Sequence, residues 1–111
     1  MMGYELHITR AAENDLNEAV DYIEFVLMNP QAADQLLDAV EDTLPMLSEY
    51  AERHALVDDP VLKAWGIRFV QIKHYLAFYT IAEDKRKVYI VHFLYGKRNW
   101  LSILKNGFTL E

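Results

Sequence analysis

From Gly66 to Ile81 the chain reads G-I-R-F-V-Q-I-K-H-Y-L-A-F-Y-T-I, from Ala82 to Lys87 A-E-D-K-R-K, and from Val88 to Arg98 V-Y-I-V-H-F-L-Y-G-K-R. β-Branched and aromatic residues dominate both long runs, as strands require. The polar breaks at Lys73-His74 and at Glu83 to Lys87 are too short for crossovers, so the three strands must be joined by hairpins and run antiparallel. A three-stranded meander is therefore predicted. Its first and last strands carry Arg68 and Arg98 beside apolar surface, with Tyr75, Tyr79, Tyr89 and Tyr95 between or next to them.

Working outward from the meander, Tyr4 to Thr9 alternates apolar and polar, with Tyr4, Leu6 and Ile8 on one face, and predicts an outer strand of the same sheet. Thr9 offers an N-cap hydroxyl for a helix of four to five turns in which Leu16, Ala19, Val20, Ile23, Val26 and Leu27 form the buried stripe. Asp15 and its acidic neighbours fall around the other side. Asn29-Pro30 ends this helix and starts a second, since asparagine caps well and proline is tolerated at the first helical position. The second stripe is Ala33, Leu36, Leu37, Val40, Leu44 and Leu47, with a break expected near Thr43-Leu44 ahead of Pro45. Tyr50 to Ala64 reads as an irregular or weakly helical connection, and Asn99 to Lys105 as a short terminal helix ended by Asn106-Gly107. The expected class is α+β: a mainly antiparallel sheet, made of the N-terminal strand and the C-terminal meander, covered by a helical hairpin.

A chain of 111 residues that is 52% hydrophobic has enough apolar surface for one core, so residues 1–111 are expected to form a single domain. The chain has no cysteine, which removes disulfides and thiolate chemistry and fits a reducing compartment. Met1-Met2-Gly3 leads into neither a signal peptide nor a membrane span, and the amphipathic helices have acidic polar faces, so a cytoplasmic protein without membrane association is expected. His7, His54, His74 and His92 make no ligand pair, no glycine-rich phosphate loop exists, and no serine sits in a nucleophile elbow. Neither a metal nor another cofactor is expected.

The net charge of −6 hides a division. Residues 1–59 carry 14 acidic and 2 basic side chains, or −12, whereas residues 60–111 carry 9 basic and 3 acidic, or +6. Solvated helix faces and a basic sheet edge account for this in one reading. In the other, a positive field around the meander collects an anion, either nucleic acid or an acidic partner segment.

Several motifs occur in a specific order: Ala12, Asp15, Leu16, Tyr22 and Ile23; Asn29, Pro30 and Ala33; Gly66, Arg68 and Val70; Tyr75, Phe78 and Tyr79; and Val91, Gly96, Lys97 and Arg98. Their order and spacing over nearly the whole chain resemble the RelE/ParE superfamily of bacterial toxins. The resemblance implies the toxin half of a type II toxin–antitoxin pair, masked by a cognate antitoxin. It further implies one of two mechanisms: cleavage of messenger RNA on the ribosome, or inhibition of DNA gyrase by binding. Loss of activity, leaving a chain that only binds its antitoxin, is a third outcome.

RNA cleavage by a 2′-hydroxyl needs a base for that hydroxyl and cations for the developing phosphorane charge. Arg68 and Arg98, distant in sequence but expected at adjacent positions, suit the second task because a planar guanidinium can bridge two phosphate oxygens; their alternative role is structural pairing with Asp58, Asp59 or the acidic helices. His92 is a candidate acid–base group or a hydrogen-bonded core histidine. Tyr75, Tyr79, Tyr95 and Trp100 are candidate stacking platforms or sheet core, and Lys63 and Lys97 candidate contacts to an anion. The chain departs from the ribonuclease branch in two places. Asp58, Asp59 and Val61 stand where lysines are expected, with only Lys63 nearby, and Leu104 stands where a tyrosine is expected. These gaps favour gyrase, whereas Gly96-Lys97-Arg98 and the basic meander tip the balance slightly to RNA.

Overall fold

The computed structural model describes residues 3–111; Met1 and Met2, where the leader reading begins, lie outside it. Strand β1 (Glu5–Ile8) is followed by helix α1 (Arg10–Asp21), which continues as a π-helical turn over Tyr22–Val26. Helix α2 (Pro30–Thr43) completes the hairpin. The caps are those the sequence offers: Thr9 Oγ1 accepts from Ala12 N–H at 3.2 Å, and Asn29 Oδ1 from Ala32 N–H at 3.1 Å. At Thr43 the α-helix gives way to a 3-10 turn through Pro45, as a proline demands. After the short helix α3 (Leu47–Tyr50) comes a 3-10 turn at Ala51–Arg53, and then helix α4 (Pro60–Ala64), capped by Asp59.

The meander is present as β2 (Arg68–Ile72), β3 (Tyr75–Ala82) and β4 (Lys87–Tyr95). Helix α5 (Trp100–Lys105) follows, over residues expected to be helical. Lys73 and Arg86 take the left-handed φ values of 56° and 54° that close the two hairpins.

Sheet order is β1-β4-β3-β2, and β1 pairs parallel to β4, from Glu5 opposite Lys87 to Ile8 opposite Ile90. The sheet is thus mixed, which corrects the expectation of a mainly antiparallel one. Hairpins force the meander strands to alternate in direction, but β1 is joined to the meander by the whole helical segment, long enough for a parallel crossover. Its direction is fixed at the far end, where the Thr9 N–H and hydroxyl both donate to the Ile90 carbonyl, at 3.1 and 2.7 Å.

Two cores lie on opposite faces. One joins Ala12, Leu36, Val40, Leu44 and Leu47 to Val70, Ile72, Tyr79, Ile90 and Phe93. The other joins Val57, Leu62 and Leu104 to Phe78, Val91 and Leu94. A bulge between Phe78 and Tyr79 on one side and Ile90 and His92 on the other shifts the pleat of β4. Leu94 therefore belongs to the second core while Val88 and Ile90 belong to the first, although strict alternation would put all three on one face.

Candidate functional site

Because β1 covers β4 only as far as Ile90, the second half of β4 is an open edge. Asp15 of α1 closes part of it: its Oδ2 accepts the Phe93 N–H at 3.0 Å and lies 2.6 Å from His92 Nδ1. Asp15 is half-buried rather than on the outer side of the helix. An aspartate can satisfy an edge donor and a histidine together because its carboxylate accepts several bonds. The partners are 77 and 78 residues away in sequence, and no local pattern announces the contact.

Beyond this contact α1 and the sheet diverge into a groove of about 570 Å³. Ala19, Tyr22, Ile23 and Leu27 line its helical wall, with Asp15 and Glu18 beside them; Tyr75, Phe93 and Tyr95 form the sheet wall, with His74 and Arg98 at its cationic end. Tyr75 stacks on Phe93 at 5.1 Å between ring centres and meets the edge of Tyr95 at 5.6 Å. Burial, and then the neighbouring Tyr95 and Tyr22, push the Tyr75 phenol above its ordinary value, so it is neutral at physiological pH. Arg98 and Tyr95 are exposed. Apolar walls with a few cationic and phenolic groups suit an anchor residue next to an acidic or phosphate group.

Arg68 lies elsewhere. It opposes Tyr79 in the β2–β3 register, while Tyr95 opposes Tyr75, so the two positions are roughly 13 Å apart along β3 at about 3.3 Å per residue. Its Nη1 donates to the carbonyls of His54 at 2.6 Å and Glu52 at 3.3 Å, tying the 3-10 turn to the sheet. It borders a separate cleft of about 270 Å³ with Glu52 and Glu83. Tyr79, fully buried, serves the same turn through a hydroxyl donated to the Ala51 carbonyl at 2.5 Å, and burial pushes its phenol up to about 12.

The remaining candidates are dispersed. Trp100 packs on Phe78 at 5.2 Å and borders a third cleft on the second core, with Phe69 and Leu76. Lys63 is exposed on α4 and Lys97 in the turn after β4. Leu104 has no exposed surface, and Asp59 is held by the Val61 and Leu62 N–H groups and by Lys105 Nζ at 2.9 Å. Of the side chains singled out in the sequence, the structure brings Arg98, Tyr75 and Tyr95 to one groove and leaves Arg68 at another, while Asp15, Tyr22, Leu27 and His74 of that groove were not among the candidates. Their common signal is only an unpaired acidic helix facing a basic strand end. Among the described residues no cluster of histidine and acidic side chains is suited to a metal ion, and no helix is long and apolar enough to cross a membrane.

An acidic helical hairpin thus lies across a four-stranded sheet, with a groove opening at the end of its last strand. Residues 6–100 match the family described as "ParE toxin of type II toxin-antitoxin system, parDE", and the chain belongs to that family. It is thereby a toxin of a type II toxin–antitoxin system. A chain of the chromosomal ParDE toxin–antitoxin system from P. aeruginosa superposes with a TM-score of 0.68 at 19% identity, over 86% of this chain and 98% of that one. The RelBE2 toxin–antitoxin complex from Mycobacterium tuberculosis gives 0.58 at 18%, over 84% and 98%. A double arginine-to-alanine mutant of the E. coli toxin RelE in the free state gives 0.61 at 14%, over 95% and 98%. At these identities the superpositions establish a shared fold. No curated protein sequence matches the chain.

Proposed function

We propose that this toxin acts by binding its target, DNA gyrase, as the ParE branch of the superfamily implies, and that a cognate antitoxin seated in the groove beside Arg98, whose helical wall runs up to Leu27, silences it by blocking the approach of that target. The observation that carries this reading is the separation of the two arginines. Stabilising a phosphorane requires cations converging on one reacting phosphate, with a base within hydrogen-bond reach. Arg68 and Arg98 border different clefts, Arg68 directs its Nη1 to two backbone carbonyls, and Leu104 is buried where an acid–base side chain would be needed. Binding needs none of these. It also needs no metal or other cofactor, and the site of action is the cytoplasm, where gyrase works.

The ribonuclease reading keeps one observation in its favour. Arg98, His74, Tyr75 and Tyr95 share the groove, and an arginine among aromatic rings is suited to a splayed nucleotide. Primer extension on a translated message, run beside a gyrase supercoiling assay, separates the two. Intact transcripts with inhibited supercoiling are expected; cleaved transcripts with unaffected gyrase would reverse the assignment.

A further inference from the structure

The tip of the helical hairpin departs from the rest of the surface. An uninterrupted α-helix would return Val26 and Leu27 to the stripe of Ile23 and bury them against the sheet. Instead the Leu27 N–H bonds to the Tyr22 carbonyl at 2.9 Å, five residues back, and this π turn rotates the following side chains away from the core. Met28 then takes a φ of 53°, a left-handed conformation that costs a non-glycine residue free energy. Phe25 is left 69% exposed, Val26 64% and Met28 81%, a contiguous apolar patch of a kind that marks interaction surfaces.

Charge selects the occupant. From residue 11 to residue 52 the chain carries eleven acidic side chains and no lysine, arginine or histidine. Asp21 and Glu24 stand within the tip itself. A nucleic acid or an anionic bilayer is repelled by such a surface, and so is the tip of a second copy. An antitoxin segment acidic enough to cover Lys97 and Arg98 has the wrong sign for it. What fits is a protein surface rich in lysine and arginine with an apolar recess, and enzymes that grip DNA present basic surfaces because they must hold phosphates. We infer that the hairpin tip, centred on Phe25, Val26 and Met28, is the surface with which this toxin engages a basic protein target. The inference rests on the binding mechanism proposed above and adds the surface responsible.

The test uses the full chain and Phe25→Ser/Met28→Ser, positions that do not line the groove. The variant is expected to need about tenfold or more protein to inhibit gyrase supercoiling, as for loss of central interface anchors, and to relieve growth arrest on induction. Its melting temperature should match that of the unmodified chain, and its affinity for the antitoxin should stay within about twofold. Asp21→Lys/Glu24→Lys should lose potency as well, most clearly at low salt. Undiminished gyrase inhibition and growth arrest in Phe25→Ser/Met28→Ser would overturn the inference, as would a parallel loss of antitoxin affinity or a dimer that the substitutions dissociate. If the unmodified chain cleaves transcripts and spares gyrase, the named target falls while growth arrest still reads the tip: arrest retained in the variant overturns it, and arrest lost with antitoxin affinity intact supports a tip bound to another protein. An unmodified chain that neither arrests growth nor inhibits gyrase overturns both proposals.

Discussion

Tyr79 and Arg68 show how polar residues that look functional in sequence become structural once their partners are known. Both hold the Ala51–Arg53 turn by its neighbouring carbonyls. The Tyr79 phenol is pushed from the ordinary 10.0 to about 12, so folding favours its neutral form. That contribution is complete below pH 10, where the unfolded chain is also protonated, and is lost as pH rises toward about 12. Stability measured by denaturant titration is therefore expected to fall between those values, and Tyr79→Phe to reduce this alkaline dependence, leaving the part due to Tyr75, at a cost of about 1 kcal/mol near neutrality for the lost hydrogen bond. Arg68→Ala removes both bonds, the one to Glu52 exposed to water, and should cost about 1 kcal/mol while antitoxin affinity is maintained. A normal melting temperature combined with lost binding would instead make Arg68 a contact residue.

At the scale of elements, the helical hairpin is held to the sheet by its small and branched apolar side chains. Leu36 is 2% exposed within the first core, and Leu36→Ala should cost about 2–5 kcal/mol by chemical denaturation, because the surrounding sheet cannot close the cavity. A change near zero would show that this face tolerates loss of packing. The hairpin, its two caps, the break at Pro45 and the meander were legible because each rests on local chemistry: Thr9 and Asn29 hydroxyl and amide oxygens, a proline ring, runs of β-branched residues. The parallel direction of β1 was not legible, since a strand of Glu5–Ile8 reads the same in either direction and only long-range contacts, Glu5 meeting Arg86 at one end and Thr9 meeting Ile90 at the other, decide it. The bulge opposite Phe78 was equally silent and misplaced Leu94 by one face. The π turn at Tyr22 reversed the expectation for Val26 and Leu27, whose spacing alone is that of a buried stripe. Within the site, Arg98 and the tyrosines flanking the last turn could be found from sequence, but Asp15 could not, because its role is set by where β1 stops covering β4.

On the scale of the molecule, the opposed charge of the two halves becomes a spatial arrangement: the acidic hairpin forms one wall of the groove, and the end of the basic meander, with Arg98 and His74, forms the other. An antitoxin segment lying between them should place apolar anchors against Tyr75 and Phe93 and acidic side chains toward Arg98. Binding to the folded toxin alone raises its stability by mass action, about 2.7 kcal/mol at a free antitoxin concentration one hundred times Kd. The melting temperature of this chain should therefore rise with antitoxin concentration. Arg98→Ala should reduce that rise and make it less sensitive to salt, because an exposed cation contributes through a screened interaction. Tyr95→Ser should reduce it with the salt dependence unchanged, since it removes apolar contact and no charge. Titrating the unmodified chain and both variants at low and high ionic strength distinguishes these contributions. If Arg98→Ala leaves both the rise and its salt dependence as they were, the antitoxin does not lie across the cationic end of the groove, and the masked surface must be sought at the Trp100 cleft on the opposite face of the sheet.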